Sequence, residues 1–157
     1  MTGTNAGGRG VDPTSTTRDP AAMQAFNRAL VAEYRATGGR LGGRLAGAPV
    51  LLLETIGART GAPRTTPVNY TMDGDRYVIV APKRGAPTNP AWYHNLVARP
   101  TAAIEVGAER FEVTWEIAEG EERDRLFARH AALLPLFADY QRRTTRRIPV
   151  LTLRPVG

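Results

Sequence analysis

The chain has 157 residues, no cysteine, 21 basic and 15 acidic residues, and a formal net charge of +6. Its length predicts one domain with a real core, and the missing cysteines exclude disulfides, thiolate nucleophiles and Cys-based metal sites, in keeping with a reducing compartment. The charge favours anionic partners such as a phosphorylated ligand, anionic lipid or nucleic acid, although twenty of the basic residues are arginine and only Lys83 is lysine, a skew that codon bias also produces.

Residues 1–18 are rich in Gly, Thr and Ser and read as a disordered tail, leaving 19–157 as the folded domain. Asp19-Pro20 reads as a helix cap followed by proline in the first turn. Met23, Phe26, Leu30 and Tyr34 then make one apolar stripe that ends at Gly38-Gly39. Val50 to Ile56 is almost continuously apolar, as in a strand covered on both faces. Thr65 to Met72 reads as the second strand, with Pro67 demanding an edge or a bulge. Asp73-Gly74 is a hairpin signal, and Arg76 to Ala81 is the returning strand.

Asn89-Pro90 repeats the cap signature before a short helix ending at Arg99-Pro100. Thr101 to Val106 and Arg110 to Ile117 form a second hairpin. Phe111, Val113, Trp115 and Ile117 alternate there with polar residues. Glu119 to Leu134 and Phe137 to Arg147 are helical, and Ile148 to Leu153 is the closing strand. Six strands joined by turns too short for crossover helices predict an α+β protein on a small antiparallel barrel. The longest apolar run, 48–53, is far short of the roughly 20 residues of a membrane span, and no secretory leader is visible, so a cytoplasmic protein is expected.

Chemistry concentrates in two loops. Gly57 and Gly61 bracket a turn carrying Arg59, Thr60 and Arg64, and no acid occurs between Thr55 and Asp73. Such a turn can present backbone N–H groups and guanidinium groups to an anion; it also reads as an exposed hairpin with solvated arginines. Lys83-Arg84-Gly85 lies where a strand leaves the sheet, with Trp92, Tyr93 and Asn95 following on the helix. An aromatic ring beside a cationic loop suits a flat ligand with a phosphate, while Trp92 and Leu96 also read as ordinary core. His94 and His130 stand apart from any metal-ligand spacing. Hydrolase, Walker and dinucleotide fingerprints are absent. Nucleic-acid binding has only charge in its favour and is not expected.

Together these segments carry a resemblance. Glu33-Tyr34-Arg35-Ala36-Thr37-Gly38-Gly39, Gly47 to Leu53, Gly57 to Arg64, Lys83, Asn89 to Leu96, Asp139-Tyr140-Gln141 and Arg147-Ile148-Pro149 resemble the deazaflavin (F420)-dependent nitroreductases, also described as F420H2-dependent quinone reductases. The resemblance covers about residues 26–153. It implies a six-stranded antiparallel split β-barrel of the flavin-reductase type, coenzyme F420 as cofactor, and hydride transfer to a quinone or nitroaromatic acceptor. By position, Arg59, Thr60, Arg64 and Lys83 would grip the phosphate or glutamyl tail, with Arg84 extending the basic groove. Pro67, Val68 and Asn69 would line the ring site. Ala81, Pro82, Gly85, Trp92 and Asn95 would contact the ring and its linker. Tyr140 would face the substrate as a proton donor, with Phe137 beside it. The chain departs from the family pattern at Pro82, where many members carry a hydroxyl residue. It departs again at Phe137, where a nitroimidazole-reducing member carries tyrosine.

Three alternatives stay open from sequence: FMN in place of F420, a non-catalytic cofactor carrier, and peripheral contact with the inner face of the cell membrane through Arg142, Arg143, Arg146 and Arg147. The oligomeric state is not legible.

Overall fold

Two cores share one strand. Val50–Ile56 (β1) sends Leu51 and Leu53 to one face and Val50 and Leu52 to the other, and all four are buried. This is the expectation from its unbroken apolar run. The computed structural model describes residues 20–85 and 88–156, apart from the side chains of Pro20, Arg44 and Arg84. The expected tail 1–18 and the Asp19 cap lie outside the described residues.

Among the described residues the strands are β1, Pro63–Asn69 (β2), Thr71–Asp73 (β3), Arg76–Val80 (β4), Ala102–Val106 (β5), Glu109–Ile117 (β6) and Val150–Pro155 (β7). They form one antiparallel sheet in the order β2-β1-β5-β6-β7-β4-β3. The helices are Pro20–Thr37 (α1), Ala91–Ala98 (α2), Gly120–Leu133 (α3) and Leu136–Arg142 (α4).

The sheet has seven strands, not the six expected. The single strand read at Thr65 to Met72 begins earlier and is divided at Tyr70. Before Tyr70 the chain pairs with β1, and after it with β4. The Tyr70 N–H still donates to Pro49 O at 3.0 Å, an ordinary ladder distance. One residue thus separates the two outermost strands of the sheet, and the sheet must curl to allow it. Pro67 occupies an outer strand, where a missing N–H is tolerated.

The concave face holds Leu51, Leu53, Ile79, Ile104, Leu151 and Leu153, closed by Trp92 and Leu96 of α2. α1 lies on the opposite face of β1, where Leu30 and Tyr34 meet Val50 and Leu52. Its C-terminus is fixed by Tyr34. The hydroxyl lies 2.9 Å from Val50 O and 3.2 Å from Glu105 O, and accepts from the Gly107 N–H at 2.9 Å. Gly39, at φ +91°, crosses so near that a Cβ would stand 2.8 Å from Gly107 Cα. A third cluster lies outside β4 and β7, where Val78, Val80, Ile148 and Val150 meet Leu126 of α3, Leu134 at its C-cap, and Phe137 and Tyr140 of α4.

Two boundaries differ from expectation for tertiary reasons. α4 stops at Arg142 rather than Arg147. The Gln141 side chain accepts from the Ile148 N–H at 3.1 Å and donates to Arg146 O at 2.8 Å, reversing the chain. β7 starts at Val150, because Ile148 O is taken by Arg123 at 2.7 Å.

Candidate active site

Strand direction decides which loops meet. β1, β4 and β6 run one way, and β2, β5 and β7 the other. The turn after β1, the exit from β4, α2 with the approach to β5, and the approach to β7 therefore share one end of the sheet. We call it the α2 end, and the other the Tyr34 end.

The Gly57–Ala62 turn is built by its own backbone. Gly57 N–H donates to Ala62 O at 2.8 Å, and Gly61 N–H to Gly57 O at 2.9 Å. Ala62 N–H donates to Thr60 Oγ1 at 3.1 Å, and Ala58 N–H to Asn95 Oδ1 at 2.9 Å. The N–H groups of Gly57, Ala58, Gly61 and Ala62 are thus already bonded, which limits any anion nest to the Arg59 and Thr60 donors at the middle of the turn. The charge of the side chains is the other contribution to a ligand. Arg59, Thr60 and Arg64 are exposed. Gly61 needs its freedom, at φ +72°, and has the Arg99 guanidinium above it, 3.8 Å from where a Cβ would stand. On the other glycine, Arg64 Nε lies 3.6 Å from the corresponding point of Gly57. Arg99 was not singled out from sequence; its one signal was its place directly after the aromatic helix.

Asn95, expected at the cofactor, is committed to the fold. Its Oδ1 holds Ala58, and its Nδ2 donates to the buried Thr55 Oγ1 at 3.3 Å. It moors α2 to the end of β1. Trp92 is 6% exposed and sits in the concave core, so its ring serves packing. Along β2 the side chains alternate: Val68 joins the concave core beside Leu51, whereas Pro67 and Asn69 pair with Leu52 and Val50 on the α1 face. The three do not form one wall. Asn69 Nδ2 donates to Pro49 O at 3.3 Å, which orients the amide and leaves its buried Oδ1 with no partner among the described residues.

The second basic loop leaves β4 through Ala81 and Pro82, both buried. Lys83 is exposed, donates to Thr88 Oγ1 at 3.1 Å, and holds φ at +42°, a left-handed conformation that costs a lysine about 1–2 kcal/mol. Gly85, at φ +78°, lies against α4, where a Cβ would meet Tyr140 O and Arg143 Cβ at 2.7 Å. The side chain of Arg84 lies outside what is described. Asn89 does not cap α2 as expected. Pro90 takes the N-cap position, and Asn89 Oδ1 accepts from Arg146 Nη1 at 2.7 Å.

Tyr140 and Phe137 depart most from expectation. Tyr140 is 1% exposed and Phe137 3%, inside the cluster on the convex side of β4 and β7. Their rings make an edge contact at 5.6 Å, and Phe137 makes another with His130 at 4.5 Å. Trp92 lies across the sheet from them. Tyr140 therefore presents no surface to a substrate in this conformation. The reason is that α4 needs an apolar face to cover Val78 and Val80, and these two aromatics supply it. The arginines that follow do not form the free cationic face considered for lipid: Arg142 pairs with Asp139, Arg147 with Asp124, Arg143 stacks 5.7 Å from the Tyr140 ring centroid, and Arg146 turns inward. No helix among the described residues is long and apolar enough to cross a membrane.

Electrostatics separate the cations of the α2 end from the rest. Arg59, Arg64, Arg99 and Lys83 have no carboxylate within ion-pair distance among the described residues. Many arginines elsewhere are matched, as where Asp73 receives Arg76 and, at 3.3 Å, Arg125, while Arg28 and Arg40 stand singly without a carboxylate in that range among the described residues. Those guanidinium groups hold the Asp73 carboxyl below its ordinary pKa. A set of exposed guanidinium and ammonium groups with no acid among them suits phosphate and carboxylate oxygens.

Residues 26–155 match the family model described as F420H(2)-dependent quinone reductase. The chain belongs to that family. A Mycobacterium tuberculosis protein named F420H(2)-dependent quinone reductase is 47% identical to it over 126 residues, 76% of this chain and 83% of that one. Among solved structures, an F420-H2 dependent reductase (FDR-A) is 34% identical, with a TM-score of 0.62 over 68% of this chain and 94% of the other. A chain described as a domain-swapped dimer is 30% identical, with a TM-score of 0.65 over 87% of this chain and all of the other (100%).

Proposed function

We propose that this member of the family is an F420H2-dependent oxidoreductase that reduces a quinone, or a nitroaromatic of similar electron demand, and that Arg59, Arg64 and Lys83 hold the anionic part of the cofactor. The observation that carries the assignment is the group of cations without carboxylates at the α2 end. The residues present fit such a ligand. The side chains of Arg59, Arg64 and Lys83 suit a phosphate and carboxylates. When bound, F420H2 supplies the hydride, so the protein needs no nucleophile of its own.

The roles of the chain's residues follow. Arg59 and Arg64, on a turn held by its own backbone bonds, offer guanidinium groups without loss of fold. Lys83 is held close to that end by a strained but braced loop. Asn95 keeps α2 against the turn, and Trp92 and Leu96 seal the concave core beneath. Tyr140 would reach an acceptor only if α4 shifted, so its part as proton donor depends on that motion.

The test is direct. Purified protein is mixed with F420H2 and menadione, and cofactor oxidation is followed. Turnover above the uncatalysed rate is expected. Tight F420 binding without oxidation, for any of a panel of quinones and nitroaromatics, would instead establish a carrier. A titration in which FMN binds and F420 does not would overturn the cofactor.

A further inference from the structure

Arg146 is a half-buried cation at the α2 end, and nothing in the family resemblance marks it. Its Nη1 donates to Asn89 Oδ1 at 2.7 Å and lies 3.3 Å from Ala81 O. Its Nη2 donates to Pro82 O at 2.7 Å and lies 3.3 Å from Ala81 O. One guanidinium thus spans both sides of the loop that carries Lys83, gripping its first two carbonyls and the side chain near its end. These partners are neutral, and burial pulls the Arg146 pKa below its ordinary value.

The backbone that presents Arg146 is itself fastened. Arg146 O accepts from Gln141 Nε2 at 2.8 Å; Gln141 Oε1 accepts from Arg123 Nη2 at 3.0 Å and from the Ile148 N–H at 3.1 Å. Gly85, in the same loop, touches the last turn of α4 so tightly that no side chain fits. Lys83 sits between these two holds in a left-handed conformation. A lysine stays in such a conformation only where its surroundings over-determine it.

We propose that Arg146 is a positioning residue: its guanidinium ties Ala81 and Pro82 to Asn89 and so fixes where Lys83 presents its ammonium to the anionic cofactor. A fold that needed only to tie the loop down could do so with a neutral side chain. An arginine adds a second charge behind Lys83, drawing the loop's carbonyl oxygens inward and leaving the ammonium as the group facing out. The functional half of this inference rests on the proposed F420 site; the clamp itself does not.

The experiment uses the full chain with Arg146→Ala and Arg146→Lys, and Tyr34→Phe as a comparator that loses hydrogen bonds at the far end of the sheet. Amide hydrogen exchange of the unliganded proteins reads the clamp. Gly85, whose N–H donates to Pro82 O at 2.9 Å, should exchange at least about tenfold faster in Arg146→Ala, while β1 and β5 are unchanged. F420 titration reads the consequence: Kd should rise about tenfold or more, as expected for losing charged hydrogen bonds that hold the binding group in place. Arg146→Lys keeps the charge but not the fork, and should fall between the two. Tyr34→Phe should lower Tm and leave Kd within about twofold, the loss being remote from the site. Unchanged Gly85 exchange overturns the clamp. Faster exchange with unchanged Kd overturns the positioning role. If the native chain itself fails to bind F420, the cofactor reading falls, and the exchange result alone decides whether the clamp exists. Should Arg146→Ala fail to fold, Arg146→Lys supplies both readouts.

Discussion

The two ends of the curled sheet spend their polar groups differently. At the Tyr34 end they are turned on one another. Tyr34 gathers three backbone groups, Asp73 pairs with Arg76 and Arg125, Arg154 meets Asp75 at 2.6 Å, and Arg35 meets Glu105 at 2.6 Å. At the α2 end interior bonds run through Asn95, the Gly57–Ala62 turn and Arg146, yet four exposed cations have no acid within ion-pair distance among the described residues. A cation with a carboxylate partner serves the fold; a cluster without one, on a braced backbone, serves a ligand. Total charge could not have shown this, since arginine dominates both ends.

Perturbing each end should therefore move a different observable, and the largest effect is expected from pH at the Tyr34 end. His130 is fully buried, its Nδ1 lies 2.9 Å from Thr71 Oγ1, its Nε2 has no partner among the described residues, and burial lowers its pKa to about 3. Between about 3 and the ordinary 6.5 the unfolded chain binds a proton that the folded one refuses. Stability is then whole above pH 6.5 and falls with decreasing pH, by up to about 1.4 kcal/mol per unit inside that window. Urea melts across pH 7 to 4 check this, and His130→Phe should flatten the slope. A slope unaffected by that substitution would remove His130 as its source.

Tyr34→Phe comes next. It leaves the Gly107 N–H without its acceptor and should cost about 2–3 kcal/mol, read as a lower denaturation midpoint with F420 affinity intact. A change in affinity of comparable size would mean that the two ends are not independent.

Lys83→Ala sharpens the contrast from the other side. It should weaken F420 binding by about 1.5–2 kcal/mol, roughly 10- to 30-fold, and barely move Tm. Arg64→Ala and Arg99→Ala should each act in the same direction but less, with affinities that fall as salt rises, because these groups are exposed. Arg154→Ala is the smallest case. Its pair with Asp75 is exposed, and stability should stay within about 0.5 kcal/mol of the native chain.

Much of this molecule could be read without coordinates. The α1 stripe, the doubly covered β1, the Asp73-Gly74 hairpin and the alternation of β6 are all local, because side-chain periodicity follows from backbone geometry within a few residues. The family signature likewise placed Arg59, Arg64 and Lys83, and these do stand exposed at one end.

What the chain by itself determined was the periodic elements, the confinement of Pro67 to an edge or a bulge, and the kind of cofactor its basic loops suit. Tertiary structure alone decided that one expected strand divides at Tyr70 between the two outermost positions of the sheet. It alone turned Asn95 to the Gly57–Ala62 turn and buried Tyr140 under α4. It alone brought Arg146 back onto a loop 65 residues earlier in the chain. Each of those outcomes is a choice of polar or apolar partner far away in sequence. Such a choice depends on which groups the folded sheet brings within about 3 Å of one another, and residue type does not encode it.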